Sequence, residues 1–342
     1  RPATFNRASS LNYGLDYRFK NGNQLSVYSL YGTEIGAMLT LHTNPRYSAT
    51  PGGTAAAPLP VKRRAADDID KLGWTKNEAV SESARAGLRK VLEFDGLIYE
   101  GLDLTGRSAR LRLRNPKFDA EPQAIGRAAR AMSRVLPASV ETFTIIPMVN
   151  GVAGAAVTLQ RSDIEGLANV SAQALLNKAV FSDPVGDVPA LEATTAQRLR
   201  WSFSPYLALS VFDPDNPVRI DTGLRLQGAY HLAPNLVLSG SIAKKLAGNL
   251  DEVTRAIPSN LPRVRTDYAQ YSKQGDPAIE HLTLTHFGRP ARNLYSRATV
   301  GYLETMYGGV SGELLWKPVD SALALGAEVN VVRQRDFDQM FG

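Results

Sequence analysis

The residues that could catalyse a reaction or hold a metal do not combine into a recognised site. His281 and His286 form the closest histidine pair, but five residues along a strand place them on opposite faces, where they cannot share a metal. The acidic segment 213–216 begins like a calcium loop, yet Val218 stands where such a loop needs glycine. The chain has no cysteine, which excludes thiol nucleophiles and cysteine-ligated metals. We therefore expect no catalytic residue, no metal site and no cofactor.

One carboxylate pair keeps an enzymatic alternative open. Hydrolysis of a glycosidic bond uses two carboxyl groups, and Glu304 and Glu313 are the pair that could supply them. The pattern predicts the two on different strands, with no aromatic platform signalled beside them. A glycan-modifying enzyme is thus one alternative, and a soluble carbohydrate-binding β-sandwich is another.

Arginine residues form the strongest charge pattern. Lys and Arg number 39 against 33 Asp and Glu, giving a formal net charge of +6, which suits a polyanionic partner. No pure basic run supports nucleic-acid binding. Helical spacing places Arg127, Arg130 and Arg134 on one helix face, and strand alternation places Arg219 and Arg225 on one strand face. A solvated surface is the favoured interpretation, and a surface for an acidic glycan or an anionic headgroup is the functional one.

The amino-terminal part predicts antiparallel strands followed by a linker. Apolar and polar residues alternate over residues 11–19, as expected for a strand with one apolar face. Two further strands follow within residues 1–47. Residues 48–60 are rich in Pro, Gly, Ala and Thr and are predicted to be a linker.

Residues 61–168 change from strand to helix periodicity. Thr75 and Glu78 have capping-box spacing ahead of one amphipathic run, and a second run ends at Pro137. Asn150 and Gly151 are the pair that most favours a two-residue hairpin turn. We predict a small α+β domain of two helices on an antiparallel sheet, followed by a connector over 169–197.

From residue 198 to residue 342 the two-residue period returns. The predicted strands are about ten residues long, and Ile220, Leu224 and Leu226 lie opposite Arg219 and Arg225. Long strands with one apolar face and one polar face match a transmembrane β-barrel. The expected fold is therefore mixed, with antiparallel transmembrane β-barrel strands flanking the small α+β domain.

Several blocks of the sequence resemble the YjbH family. They lie at 124–130, 212–217, 261–267, 301–309, 312–316, 325–328 and 334–336. The resemblance implies an outer-membrane β-barrel protein of Gram-negative bacteria, often a lipoprotein, associated with exopolysaccharide or capsule production. It implies no catalytic signature.

The resemblance and the residue patterns together set the functional expectation. We expect a non-enzymatic protein that assists exopolysaccharide secretion or assembly, with its α+β domain in the periplasm. The expected partners are an acidic exopolysaccharide, outer-membrane lipid and other secretion proteins. The chain opens with Arg1 rather than Met, so we also expect a fragment of a longer precursor.

Overall fold

The computed structural model describes residues 8–9, 11–19, 23–40, 57–192, 198–211, 216–252 and 267–340. Most of the predicted linker, at 48–56, and the acidic turn at 213–215 lie outside the described residues. The described residues up to Ala57 belong to one compact unit, and those from Pro58 onward belong to a second.

The first unit contains a three-stranded antiparallel sheet. Its strands are β1 (Tyr13–Arg18), β2 (Gln24–Leu30) and β3 (Glu34–Thr40), paired in that order. The predicted alternation is confirmed here. Leu15 and Ile35 are nevertheless 75% and 85% exposed, so this sheet does not bury its apolar side chains within its own unit.

The second unit begins with an α/β module that surrounds a buried core. Its elements in chain order are α1 (Glu78–Asp95), β4 (Ile98–Leu104), β5 (Ser108–Arg114), α2 (Glu121–Val135), β6 (Thr142–Val149), β7 (Val152–Ala153), β8 (Ala156–Gln160), α3 (Arg161–Gly166), α4 (Ala172–Leu176) and β9 (Val180–Ser182). Leu88 and Leu92 of α1 pack with Met132 of α2 against Leu111 and Ile145 of the sheet, and all five are fully buried.

Local signals explain where the first helix begins and ends. The Asn77 side chain accepts a hydrogen bond of 3.1 Å from the Ala79 backbone N–H, satisfying one free donor of the first turn. Asn77 thus takes the capping position that the spacing of Thr75 and Glu78 predicted for Thr75. Gly96 ends the helix in a left-handed conformation with φ of 82°, which glycine adopts readily.

The sheet of the module differs from the expected antiparallel one. Its strand order is β4-β5-β6-β8-β9, and β5 pairs with β6 in parallel. The reason is the length of the connection: α2 lies between β5 and β6, and a helical crossover returns the chain in the same direction. The other pairs along this order are antiparallel, and β7 pairs with β6 in the predicted Asn-Gly hairpin.

A seven-stranded antiparallel sheet completes the second unit. Its strands pair in sequence order: β10 (Leu199–Val211), β11 (Val218–Ala233), β12 (Leu236–Gly248), β13 (Ala278–Ala291), β14 (Leu294–Tyr302), β15 (Tyr307–Trp316) and β16 (Leu325–Gln334). The short helix α5 (Tyr268–Gln274) lies between β12 and β13 in the chain.

The expectation of transmembrane β-barrel strands, as a partial barrel, is wrong. Within the described residues, β10 pairs only with β11 and β16 only with β15, so the sheet is open and has two edges. Closure requires the first and last strands to hydrogen-bond to each other. The alternation of apolar and polar residues cannot distinguish an open sheet from a barrel, because the strands of both have a period of two.

The alternation itself is confirmed by the two faces of this sheet. Leu226, Val310 and Val329 lie on one face with 48%, 52% and 68% of their surface exposed. Arg219, Asp221, Glu313 and Glu328 point to the other face, where Arg219 and Asp221 are buried. In the part of the chain that the structure describes, no helix is both long and apolar enough to cross a membrane.

Candidate functional site

The face of the seven-stranded sheet opposite its apolar face is lined with hydroxyl groups. Neighbouring strands bring these groups together: Ser239 and Thr283 lie 2.9 Å apart, and Thr285 and Thr299 lie 3.2 Å apart. Ser311 donates to Glu328 at 3.2 Å. We call this side the polar face. Hydroxyl and carboxylate groups in such rows can both donate and accept hydrogen bonds, so the polar face suits a ligand rich in hydroxyls.

Arg225, one of the predicted binding residues, lies on the polar face in a fixed position. Its Nη2 is 2.6 Å from Glu280 Oε1, and its guanidinium lies 5.0 Å from the centre of the Tyr206 ring. Glu280 also accepts a hydrogen bond from Ser241. The ion pair and the ring hold the guanidinium at the surface of the sheet, with about a third of the Arg225 side chain exposed.

Arg219 also lies on the polar face, but it is buried at 9% exposure. Its guanidinium donates to the Leu250 carbonyl at 3.3 Å. Asp221 accepts from the Leu250 N–H at 2.9 Å and lies 3.3 Å from Lys245 Nζ. Arg219 and Asp221 therefore fix the chain that follows β12.

The helical spacing predicts Arg127 on a solvated helix face, but the structure buries this side chain. It is 6% exposed, its Nη1 lies 3.1 Å from Asp95, and its guanidinium lies 4.8 Å from the centre of the Phe118 ring. The reason is packing: the end of α1 and the segment before α2 both cover this position. Removing one partner of such a buried pair is strongly destabilising, so Arg127 has a structural role in the module.

Arg130 and Arg134 bind the chain segment that precedes the module. Arg130 donates to the carbonyls of Leu59 and Ala168 at 3.4 Å each, and Arg134 donates to the Pro60 carbonyl at 3.1 Å. Of the three predicted helix arginines only Arg134 is exposed. The structure thus places these arginines in different environments, and a shared role in binding a polyanion stays a prediction.

Glu304 and Glu313 are not brought together by the structure. Glu304 lies in the turn before β15 and its N–H donates to the Tyr307 carbonyl at 3.1 Å. Glu313 is six residues beyond Tyr307 along β15, about 20 Å at the usual rise of a strand. Glycosidase carboxyl groups lie about 5–10 Å apart, so this pair does not have the geometry of that chemistry.

The structure also shows a groove that sequence analysis missed. It has a volume of about 590 Å³ and lies between the β6–β7 hairpin and strands β13–β15. Phe181, Phe287 and Tyr295 line it together with Arg297 and Glu313. Their positions span more than a hundred residues, and only the tertiary fold makes them neighbours. The hairpin signal at Asn150 was visible, but nothing in the sequence shows which strands it faces.

One ion pair connects the module to the sheet beside this groove. Arg289 of β13 bonds to the Asp183 carboxylate and to the Ala153 carbonyl. Asp183 also accepts from the backbone N–H groups of Asn293 and Val185. Burial alone would raise the pKa of Asp183, but these two N–H groups and the Arg289 guanidinium together hold it below its ordinary value.

Comparison with protein families decides the membership of the chain. A family described as "Exopolysaccharide biosynthesis protein YbjH" matches residues 1–342. The chain belongs to the YjbH family. The resemblance found in the sequence is thereby confirmed, and with it the association of this family with exopolysaccharide biosynthesis.

A relative from Escherichia coli (strain K12), named "Uncharacterized lipoprotein YjbH", is 30% identical over 231 residues. The match covers 65% of this chain and 32% of the relative, so the chain spans about a third of the length of that protein. A lipoprotein relative is consistent with a place in the cell envelope. No solved structure matches the chain. These comparisons assign no residue to a site in this YjbH-family chain, so geometry alone identifies the polar face and the groove.

Proposed function

We propose that this YjbH-family protein assists the secretion or assembly of an exopolysaccharide at the bacterial outer membrane, without catalysing a reaction on it. The observation that carries the proposal is the two-faced sheet. Rows of hydroxyl and charged groups cover one face, and exposed aliphatic side chains cover the other. The partners in this proposal are the exopolysaccharide, outer-membrane lipid and other secretion proteins.

The apolar face supports contact with lipid. Exposed apolar side chains recur along all seven strands, among them Leu207, Leu226, Leu282, Val310 and Val329. A continuous apolar surface of this extent is rare on monomeric proteins in water and marks an interaction surface. Lipid acyl chains are apolar along their whole length, so lipid is the partner that matches the whole face. The lipoprotein relative supports an envelope location.

The polar face supports contact with a glycan. Its charges are mostly paired, as Arg225 with Glu280 and Arg297 with Glu313 show. They therefore present fixed hydrogen-bonding groups rather than an unbalanced electrostatic field. The net charge of +6 adds a weak general attraction for an acidic polymer. In this proposal the α/β module lies in the periplasm, where it contacts the glycan before the glycan reaches the membrane.

The decisive experiment replaces one residue on each face of β11. Leu226→Arg places a charge on the apolar face, which opposes contact of that face with lipid, and Gln227→Arg places the same charge on the polar face. In a strain that lacks the gene, we expect Gln227→Arg to restore secreted exopolysaccharide and membrane-bound protein. We expect Leu226→Arg to restore neither.

Three results would contradict the proposal. Equal restoration by both variants would show that the apolar face does not meet lipid, and normal secretion in the deletion strain would remove the role in export. Release of reducing sugars from the purified exopolysaccharide by the purified protein would show that the protein acts as an enzyme.

A further inference from the structure

We infer that the groove between the β6–β7 hairpin and strands β13–β15 binds a short uncharged segment of a glycan. Six of its lining residues carry the argument: Phe181, Phe287, Tyr295, Arg297, Glu313 and Lys317. Its volume of about 590 Å³ falls in the range of sites for small ligands. The inference rests on the proposed function, because it takes the exopolysaccharide as the source of the segment.

Aromatic rings give the groove surfaces on which a sugar ring can stack. Tyr295 is held in place by Arg289, whose guanidinium lies 4.0 Å from the centre of its ring. Asp183 in turn holds Arg289. Phe181 on the module side is 47% exposed, although burial is the usual state of phenylalanine. One face of a pyranose carries only C–H groups, and such a face packs well on fixed aromatic rings.

The strand side of the groove carries polar groups that a hydrocarbon ligand could not satisfy. Arg297 Nη2 lies 2.8 Å from Glu313 and 3.9 Å from Glu328. The Arg297 side chain is 42% exposed and the Glu313 side chain 35%, so both can bond to a ligand as well as to each other. A sugar hydroxyl can accept from the guanidinium and donate to the carboxylate, and an acyl chain can do neither.

The charges around the groove favour a neutral sugar over an acidic one. Arg297 and Lys317 are balanced by Glu313 and by Glu328 beside them. A uronic acid would meet two carboxylates as well as the two cations. The paired carboxylate and guanidinium instead offer the mixed acceptors and donors that neutral hydroxyls need. The groove therefore favours a different ligand from the net charge of the chain, which attracts acidic polymers.

The test measures binding of oligosaccharides by isothermal titration calorimetry. The probe is the exopolysaccharide of the source bacterium, partially hydrolysed and separated by anion exchange into neutral and acidic fractions. The full chain is kept in a zwitterionic detergent, because a sugar detergent would compete. We expect saturable binding of the neutral fraction, with Phe181→Ala and Arg297→Met each weakening it by about tenfold.

Matched controls lie outside the lining. Tyr230→Ala removes an exposed ring from β11 and Arg292→Met removes an exposed arginine from the β13–β14 turn, and both are expected to bind like the unchanged chain. Should Arg297→Met fail to fold, Phe181→Ala still decides the result, because this ring lies at the surface.

Four outcomes overturn the inference: no binding of either fraction, stronger binding of the acidic fraction, binding unchanged by Phe181→Ala, or competition by dodecanoate at the affinity of the sugar. The proposed function fails separately, through normal secretion in the deletion strain. Loss of secretion on deletion with no oligosaccharide binding would keep the proposed function and reject the groove.

Discussion

Arg161 stabilises the end of α2 through its buried guanidinium. The side chain is 4% exposed and donates to the carbonyls of Ser133 at 2.6 Å and Pro137 at 2.8 Å. It also lies 3.0 Å from Glu165. The last carbonyls of a helix have no partner within the helix, so a cation at this position satisfies them and favours the helix end.

The first prediction concerns this arginine. Arg161→Met leaves the carbonyls without their donor and Glu165 with Arg64 as its remaining ion-pair partner, and we expect it to lower the free energy of unfolding by about 3–5 kcal/mol. Arg107→Met is the matched control, because Arg107 pairs with Asp70 where both are largely exposed and such pairs contribute about 1 kcal/mol or less. Urea unfolding followed by circular dichroism measures both, and equal losses would contradict the assignment.

The arginines also show how far single residues can be predicted. Strand alternation correctly places Arg219 and Arg225 on one face, because that face follows directly from the period. Helical spacing places Arg127 and Arg134 together, but one is buried and the other exposed. Burial depends on which segments cover the helix, and no local pattern records that.

At the scale of elements, the chain after β9 lies against strand β4. The Glu192 N–H donates to the Glu100 carbonyl at 2.8 Å, and the Glu192 carboxylate lies 2.7 Å from Arg85 and 2.9 Å from the Tyr99 hydroxyl. Burial, and then the Glu192 carboxylate, raise the pKa of Tyr99. The connector is thus anchored on the module by backbone and side-chain bonds together.

Gly101 makes this close approach possible, which gives the second prediction. A Cβ at position 101 would lie 2.2 Å from the Ala190 carbonyl oxygen, so Gly101→Ala is expected to displace the connector and lower the melting temperature. Gly126→Ala in α2 meets nothing within 4 Å and is expected to raise stability by about 0.5–1 kcal/mol through helix propensity. Thermal unfolding measures the melting temperatures of the two variants. An unchanged melting temperature for Gly101→Ala would refute the close contact.

Element types were predictable from the sequence, whereas pairings were only partly so. The two helices, the Asn-Gly hairpin and the long strands all follow from period and turn residues. The parallel β5–β6 pair and the open edges at β10 and β16 depend on crossovers and strand ends. Because periodicity describes the faces of a strand and not its neighbours, these features needed the structure.

At the scale of the whole second unit, Asp183 and Arg289 link the module to the seven-stranded sheet. Both side chains are 9% exposed, and Gly151 at the hairpin tip lies so close to the β11–β12 turn that a Cβ would meet Pro234 at 2.5 Å. The groove lies between the same two parts, so these contacts help to hold the spacing of its walls.

The final prediction tests the link by removing the Asp183 carboxylate at a pH where its contribution is fully present. Because the pKa of Asp183 is held below its ordinary value in the folded protein, the stability it contributes is present above the ordinary aspartate pKa of about 3.9 and is lost as the pH falls through the lower folded value. Asp183→Ala removes the contribution at every pH and leaves Arg289 buried without its carboxylate, at a cost of about 3–5 kcal/mol.

We expect calorimetry at pH 7 to show one transition for the unchanged second unit and two for Asp183→Ala, as the module and the sheet unfold separately. Asp187→Ala is the control, since Asp187 pairs with Arg110 where both are exposed. A single transition for Asp183→Ala, or the same splitting for Asp187→Ala, would show that the module and the sheet are joined by other contacts.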